Sequence, residues 1–338
     1  MKFSRVAIAS VAHVDAPHQV PSAQLEAQIQ TTLKRLGLPM GLLKGLSGIQ
    51  SRRFWDEGVK PSDAATMAAE RAIAKAGIDR SRIGVLVNTS VCRDYVEPST
   101  ACLVHGNLKL APACLNFDIA NACLGFLTGM EVVGNMVERG QVEYGIVVDG
   151  ESSRFVVEKT LERLAAPDAD ADTFRSNFAT LTLGSGAAAM VLGQEDLVGS
   201  GHRFTGSVSR AATEYNLLCR GQRDQMETDT QKLLHAGVQL AMKTWQLARD
   251  ELDWNSEKPD ELILHQVSKV HTETLARTLG LDMERIMAIY PEYGNVGPAS
   301  VPIALSKAVE GGRVSDGCRV ALMGIGSGLN CAMAEVIW

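Results

Sequence analysis

The chain has 338 residues, of which 46% are hydrophobic and 21% are charged, and its formal net charge at pH 7 is -6. This length and apolar content suffice for one large core or two fused cores, so a disordered chain is excluded. No basic run is interleaved with aromatic residues, which argues against nucleic acid as a partner.

Cysteine usage and hydrophobic stretches indicate the compartment. The seven cysteines are scattered and lack zinc-site spacing, so we expect neither a disulfide framework nor a metal site. Residues 1–10 contain a short apolar stretch without the features of a signal peptide, and no stretch is long enough for a stable membrane span. We therefore predict a protein of the reducing cytoplasm.

The first predicted elements alternate between strand and helix. Residues 6–11 are predicted to form a strand, and residues 22–36 a helix with Ser22 as its N-cap, because their apolar residues fall on one helical face. Residues 47–55 form a loop or edge strand that holds the adjacent Arg52 and Arg53. Guanidinium groups are well shaped for phosphate, so these arginines are candidate phosphate ligands, with a solvated surface pair as the alternative.

A loop that carries Glu97 separates the next strand from the next helix. Residues 62–75 are predicted to form an alanine-rich helix and residues 83–90 a strand. Pro98 suits a first helical turn, and Ser99 opens the helix that follows. Glu97 stands just before them, where a carboxylate is ordinarily a surface group, so position alone assigns it no function.

Residues 115–126 are predicted to form a nucleophile elbow, in which a buried strand turns directly into a helix that begins around Cys123. A thiol at the first turn of a helix lies near unpaired N–H groups and the positive end of the dipole, so we expect a lowered pKa for Cys123. Its own N–H would point into the same pocket, which suits attack on a thioester carbonyl and stabilisation of the oxyanion. The alternative is an inert buried cysteine.

The remaining elements repeat this order. They are a strand at 144–150, a charged and partly helical insertion at about 151–180, a small-residue strand at 183–192, a helix at 226–252, a strand at 261–265, a helix to residue 280, a strand at 286–290, a helix after residue 295 and a strand at 319–324. His265 and Asn295, like Cys123, each stand at the carboxyl end of a predicted strand. We therefore predict an α/β protein with two similar halves, residues 1–195 with the cysteine and residues 196–338 with the histidine and asparagine.

Four motifs resemble the ketosynthase III branch of the thiolase superfamily. They lie, in the order typical of that branch, at residues 117–126, 265–268, 294–305 and 324–330, and the resemblance spans nearly the whole chain. It implies the thiolase fold, a duplicated and layered αβαβα architecture with two pseudo-twofold-related halves. Within the branch, Glu97 before Pro-Ser-Thr-Ala is similar to the acyl-CoA condensing thiolases of long-chain olefin biosynthesis, whereas decarboxylating members typically have an aromatic or apolar residue there.

The resemblance implies an acyltransferase that joins two long-chain fatty acyl-CoA molecules by non-decarboxylative Claisen condensation, giving a 2-alkyl-3-oxoalkanoic acid. Cys123 would carry the first acyl chain, with its own N–H and that of Ser327 holding the carbonyl oxygen. His265 and Asn295 would hold the carbonyl oxygen of the second thioester. Glu97 would remove the α-proton of that thioester, and because the family often places this segment at the subunit interface of a homodimer, it would act from its own or from the partner subunit.

The resemblance also implies the ligands and partners. Coenzyme A would enter as part of the substrate, without a tightly bound cofactor, and Arg52 or Arg53 would contact it. Enzymes of the later steps of olefin synthesis would be further partners. Two alternatives stay open: a decarboxylating 3-oxoacyl-[acyl-carrier-protein] synthase III, against which Val267 and Ser268 count, and a non-catalytic acyl-binding scaffold on the same fold.

Overall fold

The structure is a computed structural model that describes residues 1–199, 201–255 and 257–338. Its strands are β1 (Val6–Asp15), β2 (His18–Pro21), β3 (Ser51–Phe54), β4 (Ile83–Asn88), β5 (Leu115–Asp118), β6 (Tyr144–Glu151), β7 (Gly186–Gln194), β8 (Arg203–Ala211), β9 (Cys219–Gly221), β10 (Met226–Thr228), β11 (Glu261–Leu264), β12 (Arg319–Gly326) and β13 (Asn330–Ile337). Its helices are α1 (Ser22–Gln28), α2 (Gln30–Arg35), α3 (Leu42–Ser47), α4 (Pro61–Ala76), α5 (Thr100–Leu108), α6 (Gly125–Glu138), α7 (Arg154–Ala165), α8 (Ala171–Asn177), α9 (Glu195–Val198), α10 (Thr230–Leu252), α11 (Lys269–Leu279), α12 (Tyr290–Tyr293) and α13 (Ser300–Glu310).

The central sheet has two parts with the same internal order. Its strands run β11-β12-β13-β8-β1-β7-β6-β4-β5, and β1 meets β8 through the single pair Ala7 and Arg203. In the first part β4 lies between β6 and β5; in the second, β11 lies between β12 and the isolated bridge that joins Leu262 to Ile286. The two parts therefore correspond strand for strand, and the predicted duplicated architecture is confirmed. The exact boundary between the halves stays a prediction.

Helices cover both outer faces of the sheet parts and fill the space between them. Helix α4 packs on β1, β6 and β7, and α5 on β4 and β5, whereas α10 packs on β8 and β13. Helices α6 and α13 each contact strands of both halves, so they form the central layer. Five layers result, and the largest apolar cluster of the core surrounds the central helices.

The parallel strands set the position of the functional edge. Strand β4 pairs in parallel with β5 and β6, and β11 pairs in parallel with β12. The carboxyl ends of parallel neighbours lie at one edge of a sheet, and loops there collect side chains from several strands. Residues that follow β5, β6, β11 and β12 therefore meet in one region.

Several predicted boundaries are wrong for local reasons. The helix predicted at 22–36 is two helices that meet at Ile29, and Ser22 is not its N-cap because its hydroxyl donates to the Ile49 carbonyl. The helix predicted from residue 226 begins at Thr230, since the Asp229 side chain accepts from the Lys232 N–H and caps it.

The strand predicted at residues 286–290 is reduced to one bridge. Only Ile286 pairs with Leu262, and the chain enters the short helix α12 at Tyr290. In contrast, a helix does begin near Ser99 as predicted: Ser99 is the N-cap of α5, with its hydroxyl accepting from the Cys102 N–H. Pro98, predicted for the first helical turn, precedes this N-cap. Within the described part of the chain, no helix is long and apolar enough to cross a membrane.

Candidate active site

The predicted elbow is present at Cys123. Strand β5 ends at Asp118, and Cys123 lies in a short 3-10 turn at residues 122–124 that leads directly into α6. Ala122 has a φ of 46°, in the left-handed region that a residue with a Cβ rarely adopts. Such a conformation costs about 1 to 3 kcal/mol, and strain of this kind is typical of functional turns.

A second turn is held against the elbow. A Cβ on Gly326 would lie 2.8 Å from the Asn121 carbonyl oxygen and 3.1 Å from the Leu124 nitrogen, so only glycine permits this approach. The Asn330 side chain donates to the Asn121 side chain across 3.0 Å. These contacts bring Ser327, between Gly326 and Asn330, to the same cavity wall as Cys123.

His265 follows β11, and its ring is neutral. Its backbone N–H donates to the Met323 carbonyl of the neighbouring strand, and its side chain is buried. Burial lowers the pKa of the imidazole to about 3, helped by the nearby His271 and opposed by a hydrogen bond to the backbone of Gly297. A neutral imidazole can donate a hydrogen bond to an oxyanion without bringing a second ionisable charge into the cavity.

The amide of Asn295 is oriented by its own turn. Its Oδ1 accepts from the Gly297 N–H across 3.0 Å, while its backbone is held by Thr182 and Gly184. Because the oxygen is engaged, the Nδ2 group is the part of the amide that remains to donate. Asn295 therefore offers a fixed hydrogen-bond donor beside His265.

These side chains share one cavity of about 2270 Å³, whose wall includes Cys123, His265, Asn295 and Ser327. Its apolar lining comes from two separate parts of the core. One set, beside the insertion, consists of Leu36, Leu42, Phe174 and Phe178; the other, beside α10, consists of Leu218, Leu233, Ile325 and Leu329. The cavity can therefore hold long apolar groups next to the thiol, the imidazole and the amide.

The predicted lowering of the Cys123 pKa is wrong. Burial, followed by the neighbouring Cys219, Glu151 and Asp149, raises the pKa of the thiol to about 12. A helix dipole contributes at most about 2 kcal/mol. Since one pKa unit corresponds to about 1.4 kcal/mol, the dipole of α6 offsets only part of this increase.

Neither predicted phosphate ligand reaches the cavity wall. Arg52 is 0% exposed, and its guanidinium donates to the Ser22 hydroxyl and the Leu181 carbonyl. Arg53 donates to the Ala16 carbonyl and stacks on the Tyr293 ring at 5.1 Å. The coenzyme A contact predicted for Arg52 is therefore wrong, because its side chain is enclosed in the fold. Arg53 contacts Ala16 and Tyr293, which do not belong to the cavity wall.

Glu97 lies outside the cavity wall that this chain provides, although residues 91–96 of its loop belong to that wall. Its side chain is exposed. Its loop also exposes apolar side chains, with Val96 96% and Tyr95 48% exposed. A loop of this kind is typical of an interface with a second chain.

Two cavity residues were not predicted from the sequence. Glu151 ends β6 as a buried carboxylate that accepts from the Val91 N–H, and burial raises its pKa to about 7. His271 lies near His265, and burial lowers its pKa to about 4. The only sequence signal was a glutamate at the end of an apolar strand. In the part of the chain that the structure covers, no group of three His, Cys, Asp or Glu is placed to hold a metal ion.

Comparison with known proteins gives a consistent result over the whole chain. Residues 117–211 match the family described as 3-oxoacyl-[acyl-carrier-protein] synthase III, and residues 250–338 match its C-terminal family. The chain is 51% identical to an acyl-CoA:acyl-CoA alkyltransferase of Xanthomonas campestris pv. campestris and 37% identical to one of Shewanella oneidensis. Each alignment covers 100% of both chains.

Solved structures give the same relationship. Cerulenin-bound OleA of Xanthomonas campestris has a TM-score of 0.99 and 50% identity, covering 100% of this chain and 98% of that one. A cysteine-to-serine variant of the same OleA, solved with lauric acid and lauroyl-CoA, has a TM-score of 0.98 and 50% identity, covering 99% and 100%. Three further OleA variants replace one glutamate by glutamine, one cysteine by alanine and one histidine by alanine. Each has a TM-score of 0.98 and 50% sequence identity. They cover 100% of this chain and, in that order, 98%, 98% and 100% of their own chains.

Proposed function

Because the chain belongs to the acyl-CoA:acyl-CoA alkyltransferases, within the 3-oxoacyl-[acyl-carrier-protein] synthase III family, we propose that it condenses two long-chain acyl-CoA molecules head to head. The observation that carries this proposal is that Cys123, His265 and Asn295 line one cavity, whose wall also has two apolar parts. A nucleophile, two oxyanion donors and room for two chains are the parts that such a condensation needs.

The first half-reaction loads Cys123. Its sulfur attacks the carbonyl of one acyl-CoA, and the oxyanion that forms is held by the N–H groups of Cys123 and Ser327. Collapse of this intermediate forms the acyl-cysteine thioester and releases coenzyme A, which leaves as a thiol with the proton that Cys123 gives up. Each donor of such a hole is worth about 10²- to 10³-fold in rate.

The second half-reaction makes the carbon nucleophile. The second acyl-CoA places its carbonyl oxygen between His265 and Asn295, and Glu97 removes a proton from the neighbouring carbon. The enolate attacks the acyl-cysteine carbonyl, and Cys123 leaves as a thiol with the proton that Glu97 had removed. Water then hydrolyses the remaining thioester to coenzyme A and a 2-alkyl-3-oxo acid. A decarboxylating synthase needs no Glu97, because loss of carbon dioxide creates the carbanion.

Glu97 acts from the partner subunit of a homodimer in this proposal. Strand β5 is the outer strand of the central sheet, and Leu115 at its start is 56% exposed. An open strand edge beside exposed apolar side chains is suited to pairing with a second copy. The glutamate, cysteine and histidine substituted in the OleA variants are separated by the same intervals along the chain as Glu97, Cys123 and His265. This spacing supports the choice of these three residues as the catalytic ones.

The apolar linings favour long chains. Each methylene group moved from water into such a lining contributes about 0.8 kcal/mol. A substrate with ten more methylenes could therefore gain roughly 8 kcal/mol of binding. Coenzyme A belongs to the substrate, and the cysteines of the described residues are free, which supports a reducing cytoplasm as the location. The β-keto acid would pass to later enzymes of olefin synthesis.

Incubation of the purified protein with myristoyl-CoA alone tests the proposal. We expect release of coenzyme A together with a 27-carbon ketone or its β-keto acid precursor, since two chains of about 14 carbons are joined and one carbon is then lost. Cys123→Ala should abolish the acyl adduct on the intact protein. A requirement for added malonyl thioester would instead identify the decarboxylating synthase, and the absence of catalytic coenzyme A release would identify a scaffold.

A further inference from the structure

The loop that carries Glu97 stays attached to β6 after β4 has ended. Beyond Asn88 the Thr89 hydroxyl donates to the Asp149 carboxylate across 2.6 Å, and the Ser90 hydroxyl accepts from the Gly150 N–H across 2.8 Å. Together with the backbone bond from the Thr89 N–H to the Val148 carbonyl across 3.0 Å, these side-chain bonds extend the pairing of the two parallel strands. Residues 89 and 90 are therefore held in line with the end of β6.

Glu151 makes the last attachment in this series. Its Oε1 accepts from the Val91 N–H across 2.6 Å and its Oε2 from the Cys92 N–H across 3.3 Å, and the residue is 5% exposed. One buried carboxylate thus takes both N–H groups at the point where the loop leaves the sheet. Such charge-assisted bonds are among the stronger ones in proteins.

Two further carboxylates hold the loop and the start of the helix that follows it. The Asp94 carboxylate accepts from the Ser62 N–H and hydroxyl at the start of α4. The Asp118 carboxylate accepts from the Thr100 and Ala101 N–H groups at the start of α5. Glu97 is exposed, and the loop that carries it is held in place by three carboxylates, those of Glu151, Asp94 and Asp118.

Asp94 also belongs to the cavity wall and Asp118 does not, but Glu151 is the anchor that lies against the turn after Asn295. It belongs to the cavity wall with Cys123, and a Cβ on Gly297 would lie 3.5 Å from its carboxyl carbon. Its backbone carbonyl accepts from the Trp55 indole N–H across 2.9 Å, which fixes the end of β6. One side chain therefore contacts both the cavity of its own subunit and the loop that carries Glu97.

We propose that Glu151 is a positioning residue: it holds the Glu97 loop of its own subunit in the position from which Glu97 acts in the active site of the partner subunit. This role rests on the proposed supply of Glu97 across the dimer interface. The carboxylate is required because it accepts from two N–H groups at once. In Glu151→Gln the amide oxygen can keep one of these bonds, but the NH₂ group then faces the other N–H as a second donor.

Mixed dimers separate this role from a role in the subunit's own cavity. One subunit, the lender, carries Cys123→Ala and keeps Glu97; the other, the acceptor, carries Glu97→Ala and keeps Cys123. Coexpression with two affinity tags and purification on both gives dimers with one complete site. Glu151→Gln is then placed either in the lender or in the acceptor, and the rate of condensation of myristoyl-CoA is measured.

We expect Glu151→Gln in the lender to lower condensation roughly 10- to 100-fold, because a group misplaced by about 1 Å can cost about 10²-fold. The same change in the acceptor should lower condensation less, because the loop that its Glu151 holds carries Glu97→Ala and serves no complete site. Acylation of the acceptor Cys123, measured as the mass adduct on the intact protein, should be unchanged when Glu151→Gln stands in the lender. Glu151→Asp in the lender, which withdraws the carboxylate by one methylene, should lower condensation in the same way and provides a second variant if the glutamine form assembles poorly.

The possible failures are distinguishable. Equal losses from both placements, or a larger loss from the acceptor, would overturn the positioning role while leaving the proposed function intact. An inactive parent mixed dimer whose acceptor still acylates would overturn the supply of Glu97 across the interface, and this role of Glu151 with it.

Discussion

A Cβ on Gly326 would stand 2.8 Å from the carbonyl oxygen of Asn121, so the turn that carries Ser327 and the elbow that carries Cys123 are in backbone contact. In Gly326→Ala the added methyl group meets backbone rather than a flexible side chain, and the turn and the elbow must separate. Because the oxyanion donors are then misplaced, we expect acylation by acyl-CoA to slow by about 10²-fold.

Time-resolved mass spectrometry of the intact protein measures this rate. Gly106→Ala is the matched control, since a Cβ there meets no atom within 4 Å and the residue lies in the exposed part of α5. Equal acylation rates for Gly326→Ala and Gly106→Ala would show that the contact does not set the donor geometry.

Asn295→Asp should separate the two half-reactions. The aspartate keeps an oxygen that accepts from the Gly297 N–H, but it presents a second oxygen where the Nδ2 donor stood. We expect condensation to fall by at least about 10²-fold while the Cys123 adduct still forms, because the lost donor serves only the second thioester. Quantifying adduct and ketone in the same reaction tests this. Loss of both together would place Asn295 in the first half-reaction.

Val96→Arg should dissociate the proposed dimer. Val96 is 96% exposed in the single chain, so the substitution does not disturb the fold of the subunit, but it brings a charge into the proposed interface. We expect a monomer by light scattering at micromolar concentration, with acylation retained and condensation lost. Leu197→Arg is the control, because Leu197 is 38% exposed in α9, far along the chain from the loop. A Val96→Arg protein that remains dimeric would place the interface at another surface.

The order of elements could be predicted because apolar periodicity repeats in both halves, whereas element ends could not. The chain around residue 226 has a helical pattern, yet Met226–Thr228 pairs with β9 and Asp229 caps α10. Ile286 has one partner in β11, and the helix at Tyr290 takes over. Residues 330–337, which the sequence analysis assigned to no element, form β13. Tertiary pairing decided each of these cases.

In the candidate site, too, some features could be predicted from the sequence and others could not. Cys123, His265 and Asn295 could be placed together because each follows a predicted strand of a duplicated pattern, although the strand predicted before Asn295 is a single bridge in the structure. Arg52 could not be assigned, since a pair of arginines in the sequence does not reveal that one of them is enclosed by carbonyl groups. The raised pKa of Cys123 could not be predicted either, because it depends on burial and on Glu151, which only the fold of β6 brings near the thiol.

The reactivity of Cys123 should follow its raised pKa. A free cysteine has a pKa of about 8.5 and reaches its full thiolate fraction above about pH 9.5. The pKa of the Cys123 thiol is about 12, so its thiolate fraction should rise about tenfold per pH unit through pH 10. Iodoacetamide labelling from pH 7 to 10, read by peptide mass spectrometry against a cysteine peptide, tests this. A plateau below pH 8 would mean that the dipole of α6 outweighs burial.

Glu151→Gln should change how stability depends on pH. The folded pKa of Glu151 is about 7, above the unfolded value of about 4.3, so its contribution to stability is fully present below about pH 4.3 and is lost as pH rises through 7. Glutamine does not titrate. The free energy of unfolding of the variant, relative to the unmodified protein, should therefore increase by on the order of 3 kcal/mol between pH 5 and pH 8 and then level off.

Urea unfolding at pH 5, 6, 7 and 8 measures this difference, with the exposed Glu57→Gln as the control for the substitution itself. The buried Asp149 beside Glu151 also has a raised pKa because of burial, so the transition should be broader than that of a single group. A stability difference that does not vary with pH would mean that Glu151 is ionised in the fold throughout this range. The carboxylate that holds the Val91 N–H would then carry its charge at no cost to folding.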